Sequence, residues 1–133
     1  MTALPKASYL PPTAWRSREP RVPGTTVVLA IDEFVPGADV YGGINSLEGF
    51  GTIPLHWHDD VGEIQYVVAG HGFMLDVDGN ERPVRPHDVV FSPAGPSGAH
   101  GFRNASSVPL VILFFYPAAG GRSPSMHIIE SPA

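Results

Sequence analysis

Residues 50–70 read FGTIPLHWHDDVGEIQYVVAG, and the run His56–Trp57–His58 followed by Glu63 decides how the rest of the chain is read. In a strand, side chains two residues apart point to the same face. His56 and His58 therefore project together, with Trp57 expected on the opposite face, packed between layers as a wall. Asp59–Gly62 is turn material. The chain is expected to return as an antiparallel neighbour beginning at Glu63, which would bring that carboxylate to the two imidazoles. Two imidazoles and a carboxylate suit Fe(II), Mn(II), Zn(II), Ni(II) or Cu(II). The plainer alternative is a pair of surface histidines beside an unrelated acid.

Outward from this stretch, the spacing of helix breakers sets the fold class. Apart from Thr25–Val35 (TTVVLAIDEFV), no stretch longer than seven residues lacks a Gly or a Pro, of which there are 15 each in 133 residues. A helix averages about 11 residues, and an interior Pro or Gly costs it roughly 3 or 1 kcal/mol. Thr25–Val35 is itself rich in β-branched and aromatic residues. The chain is therefore read as all-β. Strand-like runs occur at Thr25–Val35, Val40–Ile44, Phe50–Ile53, Glu63–Val68, Gly72–Val77, Glu81–Val84, Asp88–Ser92, His100–Asn104 and Val108–Tyr116. Asp78–Gly79 is a hairpin signal, and Met126–Ile129 is a candidate last edge strand. About eight to ten short strands at this spacing make a sandwich or small barrel. The apolar run LVILFFY (110–116) is expected to be covered on both faces. Residues 1–24 carry five prolines and read as an extended arm, partly disordered or laid across a neighbour, with one barrel domain from 25 to 133.

Composition excludes several roles. There is no cysteine, so no disulfide, thiolate site or Cys nucleophile exists. The formal charge is −5 and the basic residues do not cluster, which argues against a nucleic-acid partner. No apolar segment approaches a membrane span, and Met1–Arg21 has no signal-peptide core. The default expectation is a cytoplasmic protein with no membrane partner.

His56–X–His58, four residues, Glu63, six residues and Gly70 match in register the first motif of the cupin family, which the chain resembles. Phe50 stands where that motif begins with Gly. Pro93–Ala94–Gly95, His100 and Asn104 resemble the second motif, with two residues inserted before His100 and His87 in place of its leading Gly. PHDVVFSPAG (86–95) is similar to the family's PGD-plus-strand signature. The motifs span Phe50–Asn104. The resemblance implies a double-stranded β-helix, a jelly-roll barrel. It also implies one divalent metal ion, Fe(II) or Mn(II) in preference to Zn, Ni or Cu, held by His56, His58, Glu63 and His100. Three neutral imidazoles and one carboxylate around M²⁺ leave a site of charge about +1 with open positions for substrate, water or O₂.

Parity nominates the walls. Counting by two from Glu63 gives Gln65, a polar residue one pleat away that could bind substrate or a water and act in catalysis. Counting from His100 gives Phe102 and Asn104 as substrate-pocket residues. Phe50, Phe91, Phe102, Phe114 and Phe115 are expected mostly in the core. His71, His87 and His127 read as turn or surface residues. No Lys or Tyr base and no cationic clamp is evident near the site, and Arg103 has outward parity. The cupin resemblance implies, as a main option, a dioxygenase acting on a chelating enol, diketone or phenol, and the lack of such a base favours that metal-centred oxidation over acid–base isomerisation. The alternatives are a metal-dependent isomerase, lyase or decarboxylase of a small keto-acid or sugar, and a non-catalytic small-molecule binder. A homodimer is expected, because such barrels pair through sheet edges or terminal strands.

Overall fold

The structure is a computed structural model in which residues 4–129 are described. Among the described residues eleven strands run in chain order: β1 Arg16–Arg18, β2 Thr25–Ile31, β3 Val40–Leu47, β4 Thr52–Trp57, β5 Glu63–Ala69, β6 Gly72–Asp76, β7 Glu81–Val84, β8 Val89–Ser92, β9 His100–Arg103, β10 Leu110–Pro117 and β11 His127–Ile128. Three single 3-10 turns are the only helical structure among the described residues. The strands form two antiparallel sheets, β1-β2-β3-β10-β5-β8 and β11-β4-β9-β6-β7. This is the double-stranded β-helix.

Alternation along each strand builds the interior. On β10, Leu110, Ile112, Phe114 and Tyr116 are buried while the residues between them are only half-buried. The run LVILFFY is thus fully covered on one face, not on both. Its apolar outer residues reflect a central position, between β3 and β5. Two apolar clusters fill the barrel. One contains Leu47, Ile53, Val67, Phe102, Leu110 and Ile112; the other contains Val27, Leu29, Tyr41, Phe114 and Tyr116. Burying each such side chain contributes about 1.5–3 kcal/mol, and the cavity described below lies between the clusters.

Turn chemistry closes the hairpins. The Asp76 carboxylate accepts from the backbone N–H groups of Asp78 and Asn80 at 3.0 Å each, and Gly79 takes φ 83° between β6 and β7. Part of the Pro-rich arm is ordered on its own chain. Residues 16–18 form β1 against Val27–Leu29, and the Trp15 indole N–H donates to the Leu10 carbonyl at 2.8 Å.

Candidate metal centre

The strands deliver the four polar side chains from two directions. His56 on β4 is the register partner of His100 on β9, and His58 follows one residue beyond β4. Glu63 opens β5, which belongs to the other sheet. The expectation that Glu63 lies on a strand paired with the histidine strand is therefore corrected. Asp59–Gly62 carries the chain across the barrel, and the carboxylate meets the imidazoles face to face across the interior. Gly101 lets β4 approach β9, since a Cβ there would sit 2.4 Å from the Ile53 carbonyl oxygen. The residues inserted before His100 are taken up in the 3-10 turn Pro96–Gly98, and the Gly95 N–H donates to the His58 carbonyl at 2.8 Å. Gly98 is the one residue that fits there, because a Cβ would fall 1.8 Å from the Pro93 oxygen.

His56, His58, Glu63 and His100 are all buried, and their ligand atoms lie within 4.8 Å of one another. That spread fits one divalent ion at ligand distances of about 2.0–2.4 Å. The tautomers point the same way. Each Nδ1 faces a backbone carbonyl that can only accept: His56 to Pro54 at 2.9 Å, His58 to Ser125 at 2.6 Å, and His100 to Gly98 at 3.1 Å. Each ring therefore carries its proton on Nδ1 and turns a bare Nε2 lone pair inward. The His58 Nε2 is buried with no hydrogen-bond partner among the described residues. The Glu63 Oε1 lies 2.6 Å from the His100 Nε2 and 3.6 Å from that of His58. A carboxylate oxygen and two lone pairs gathered this closely call for a positive charge among them. The donor set fits a divalent cation.

The electrostatics bear on which forms these side chains take. Burial, reinforced by His100, lowers the His56 pKa to about 4, so the ring is neutral near pH 7. For Glu63, burial alone would raise the pKa. The carboxyl is held well below its ordinary range only where the His100 and His58 rings present N–H or positive charge to it, the part a bound cation would take between bare Nε2 atoms. The Gln65 amide donates to the Glu63 Oε1 at 2.6 Å and sits 3.0 Å from the His100 Nε2. Ser92 donates weakly to the other end of that amide at 3.4 Å.

Phe102 and Gln65 line the cavity, together with Val27, Ile53, Ile112 and Phe114. Asn104 does not, which corrects its assignment to the substrate pocket. Its Nδ2 donates to the carbonyls of Leu47, Glu48 and Val108 and its Oδ1 accepts from the Ser106 N–H, so it pins the loop beyond β9. Trp57 is likewise not packed between layers. It lies half-buried on the outer face, stacked at 4.2 Å on His127, its β11 partner, which also pairs with Asp59 at 2.9 Å. His71 is exposed, and the His87 Nδ1 hydrogen-bonds the Tyr66 hydroxyl.

The expectation of no tyrosine and no cationic group at the site is overturned. Tyr116, at the inward end of β10, lines the cavity, and its ring meets that of His58 at 4.7 Å. Burial, then the Glu63 charge, pushes its phenol well above 10. Arg18 and Arg21 also line the cavity. Counting by two along β10 would have reached Tyr116. Nothing in the charged, Pro-flanked Arg16–Arg18 marks it as cavity wall.

The fold and the four-ligand cluster define a double-stranded β-helix with an internal site suited to a metal ion. The chain belongs to the cupin family, whose cupin domain matches residues 46–116, more than half its length. No curated protein matches it significantly. Among solved structures, it is similar to the polyketide cyclase RemF from Streptomyces resistomycificus, at 22% identity over 96% of this chain and 88% of that one, with a TM-score of 0.76. It is also similar to a cupin-superfamily sugar phosphate isomerase from Silicibacter pomeroyi (22% identity, 81% and 67% coverage, TM-score 0.65). A third is the oxalate decarboxylase of Bacillus subtilis, a protein with Mn(II) centres (22% identity, 86% and 30% coverage, TM-score 0.67). At these identities the likeness is one of fold.

Proposed function

We propose that this cupin is a metal-dependent enzyme that converts a small, enolisable organic substrate without net oxidation, by cyclisation, isomerisation or C–C bond cleavage. The carrying observation is Tyr116. A buried phenol kept protonated beside Glu63 and His58, in the same cavity, can donate a proton or hydrogen bond to a substrate oxygen. A divalent ion held by His56, His58, Glu63 and His100 would act as a Lewis acid on a chelating carbonyl or enol. Gln65 holds the Glu63 carboxylate in place, and the apolar walls exclude water from the reacting atoms. The activities named for the cyclase, isomerase and decarboxylase structures support this reaction range, and the Mn(II) of the decarboxylase supports Mn(II) as one candidate ion.

The second reading is an O₂-dependent dioxygenase of the same substrate class. It is favoured by the three-imidazole, one-carboxylate set, which suits redox-active Fe(II) or Mn(II). Metal analysis of the protein as purified, followed by product analysis with β-diketones, keto-acids and hydroxyquinols, separates the two. Turnover in anaerobic buffer supports the first reading. Strict one-to-one O₂ uptake supports the second. His58→Ala is expected to lose the metal while staying folded by circular dichroism. Tyr116→Phe is expected to keep the metal and lose turnover. A Tyr116→Phe variant with unchanged kcat would overturn the role given to the phenol.

A further inference from the structure

We propose that Arg18 and Arg21, with Asn45, form a subsite for an organic oxyanion, a carboxylate or ionised enol, on a substrate that also carries a hydroxyl group. This rests on reading the cavity as a substrate site.

The register places the subsite. Arg18 pairs with Val27, Val27 with Asn45, and Asn45 with Ile112, so these side chains form one row across β1, β2, β3 and β10. Val27 and Ile112 face the cavity, and Arg18 and Asn45 share that face. With strands about 4.8 Å apart, the Arg18 and Asn45 backbones stand roughly 10 Å apart on either side of Val27, and both residues line the cavity from that row.

Both ends have unfilled hydrogen-bonding capacity. The Arg18 Nη1 donates to the Tyr41 hydroxyl at 2.6 Å, while the Nε is buried and has no partner among the described residues. With Nη1 committed, the edge of the guanidinium that carries Nε is left to take a carboxylate. The Asn45 Oδ1 is also buried without a partner and can only accept, which calls for a donor such as a hydroxyl. Arg21 binds neutral groups of the C-terminal segment, the Ser123 hydroxyl and the Pro124 carbonyl. Neither arginine has a carboxylate within ion-pair distance among the described residues, although Arg16 and Arg103 both do.

Charge favours the same ligand. In a chain of net charge −5, the cavity gathers two arginines against one carboxylate, Glu63, which is itself turned to the imidazoles. A concave site with this sign concentrates anions.

The test is titration calorimetry on the protein as purified, with benzoate, benzamide and 3-hydroxybenzoate as probes and metal content measured on every sample. Benzoate is expected to bind more tightly than the neutral, isosteric benzamide. Arg18→Gln or Arg21→Gln is expected to weaken benzoate about tenfold or more, with benzamide and metal content unchanged. Arg18→Lys, which keeps the charge and loses the fork, should recover part of the affinity. Asn45→Leu should abolish the preference for 3-hydroxybenzoate over benzoate. Equal benzoate affinity in wild type and both arginine variants would overturn the subsite, as would no preference over benzamide, or no saturable benzoate binding at millimolar concentration. Loss of the metal reading shows separately, as protein purified without bound metal.

Discussion

Phe50 and His87 are the two non-glycine residues with positive φ among the described residues, at 61° and 80°. They occupy the two places where the cupin motifs carry glycine. The backbone has kept the left-handed turn and lost the residue that adopts it without strain. Phe50 is 70% exposed, so its ring returns little packing energy. Phe50→Gly is expected to raise stability by about 0.5–1 kcal/mol, the strain relieved less the added chain entropy of glycine, read as a higher urea midpoint at unchanged metal content. His87 differs, because its ring is tied to Tyr66. Gln65 matters in another way. It is 2% exposed, and its amide is shared between Glu63 and His100. Gln65→Leu is expected to weaken metal binding by about 10–100-fold, as removal of a group that orients ligands does. A chelator competition giving unchanged affinity would refute that. The clustering of His56, His58, Glu63 and His100 was legible in the sequence because period-two spacing and the family motif both single them out. Their supporting acceptors were not, since all three are backbone carbonyls, of Pro54, Gly98 and Ser125, which no side-chain pattern can reveal.

Among the elements, the C-terminal segment is the least expected participant. The sequence marked 126–129 as a possible edge strand, and β11 does pair with β4. What the pattern could not show is that Ser125, just before it, carries the carbonyl that fixes the His58 ring, with its hydroxyl on Asp59 at 2.7 Å. Chain deletion after Arg122 should leave the barrel folded and reduce metal affinity by about 10–100-fold. Full affinity in the truncated protein would show that the Ser125 contact is idle. The strands themselves were readable from alternation and turn residues, but their partition between sheets was not. Asp59–Gly62 has the composition of a hairpin turn, and only packing of the half-buried Val61 against the apolar cluster of Tyr41 and Phe114 distinguishes a crossing from a return. Strand β1 was hidden for a similar reason. Three polar residues after a Pro-rich stretch carry no apolar period, so their pairing with β2 is a purely tertiary outcome.

For the molecule as a whole, a buried acidic group surrounded by imidazole lone pairs makes stability depend on what occupies the centre. Adding Mn(II) or Zn(II) to chelator-treated protein at about 100 times Kd is expected to stabilise it by about 2.7 kcal/mol, or several degrees in Tm for a chain of this size. The rise should be absent in Glu63→Gln, and a Tm indifferent to every divalent ion would refute the site. The same topology has a mechanical consequence. Of the four clustered residues, three hang from one sheet and the fourth from the other, so a shared ion would act as a rivet between the two halves of a hinged box. Amide protons of β4 and β5, remote in the hydrogen-bond ladder, would then slow their exchange together on loading and quicken together on stripping. Filling the centre and stiffening the barrel would be one event.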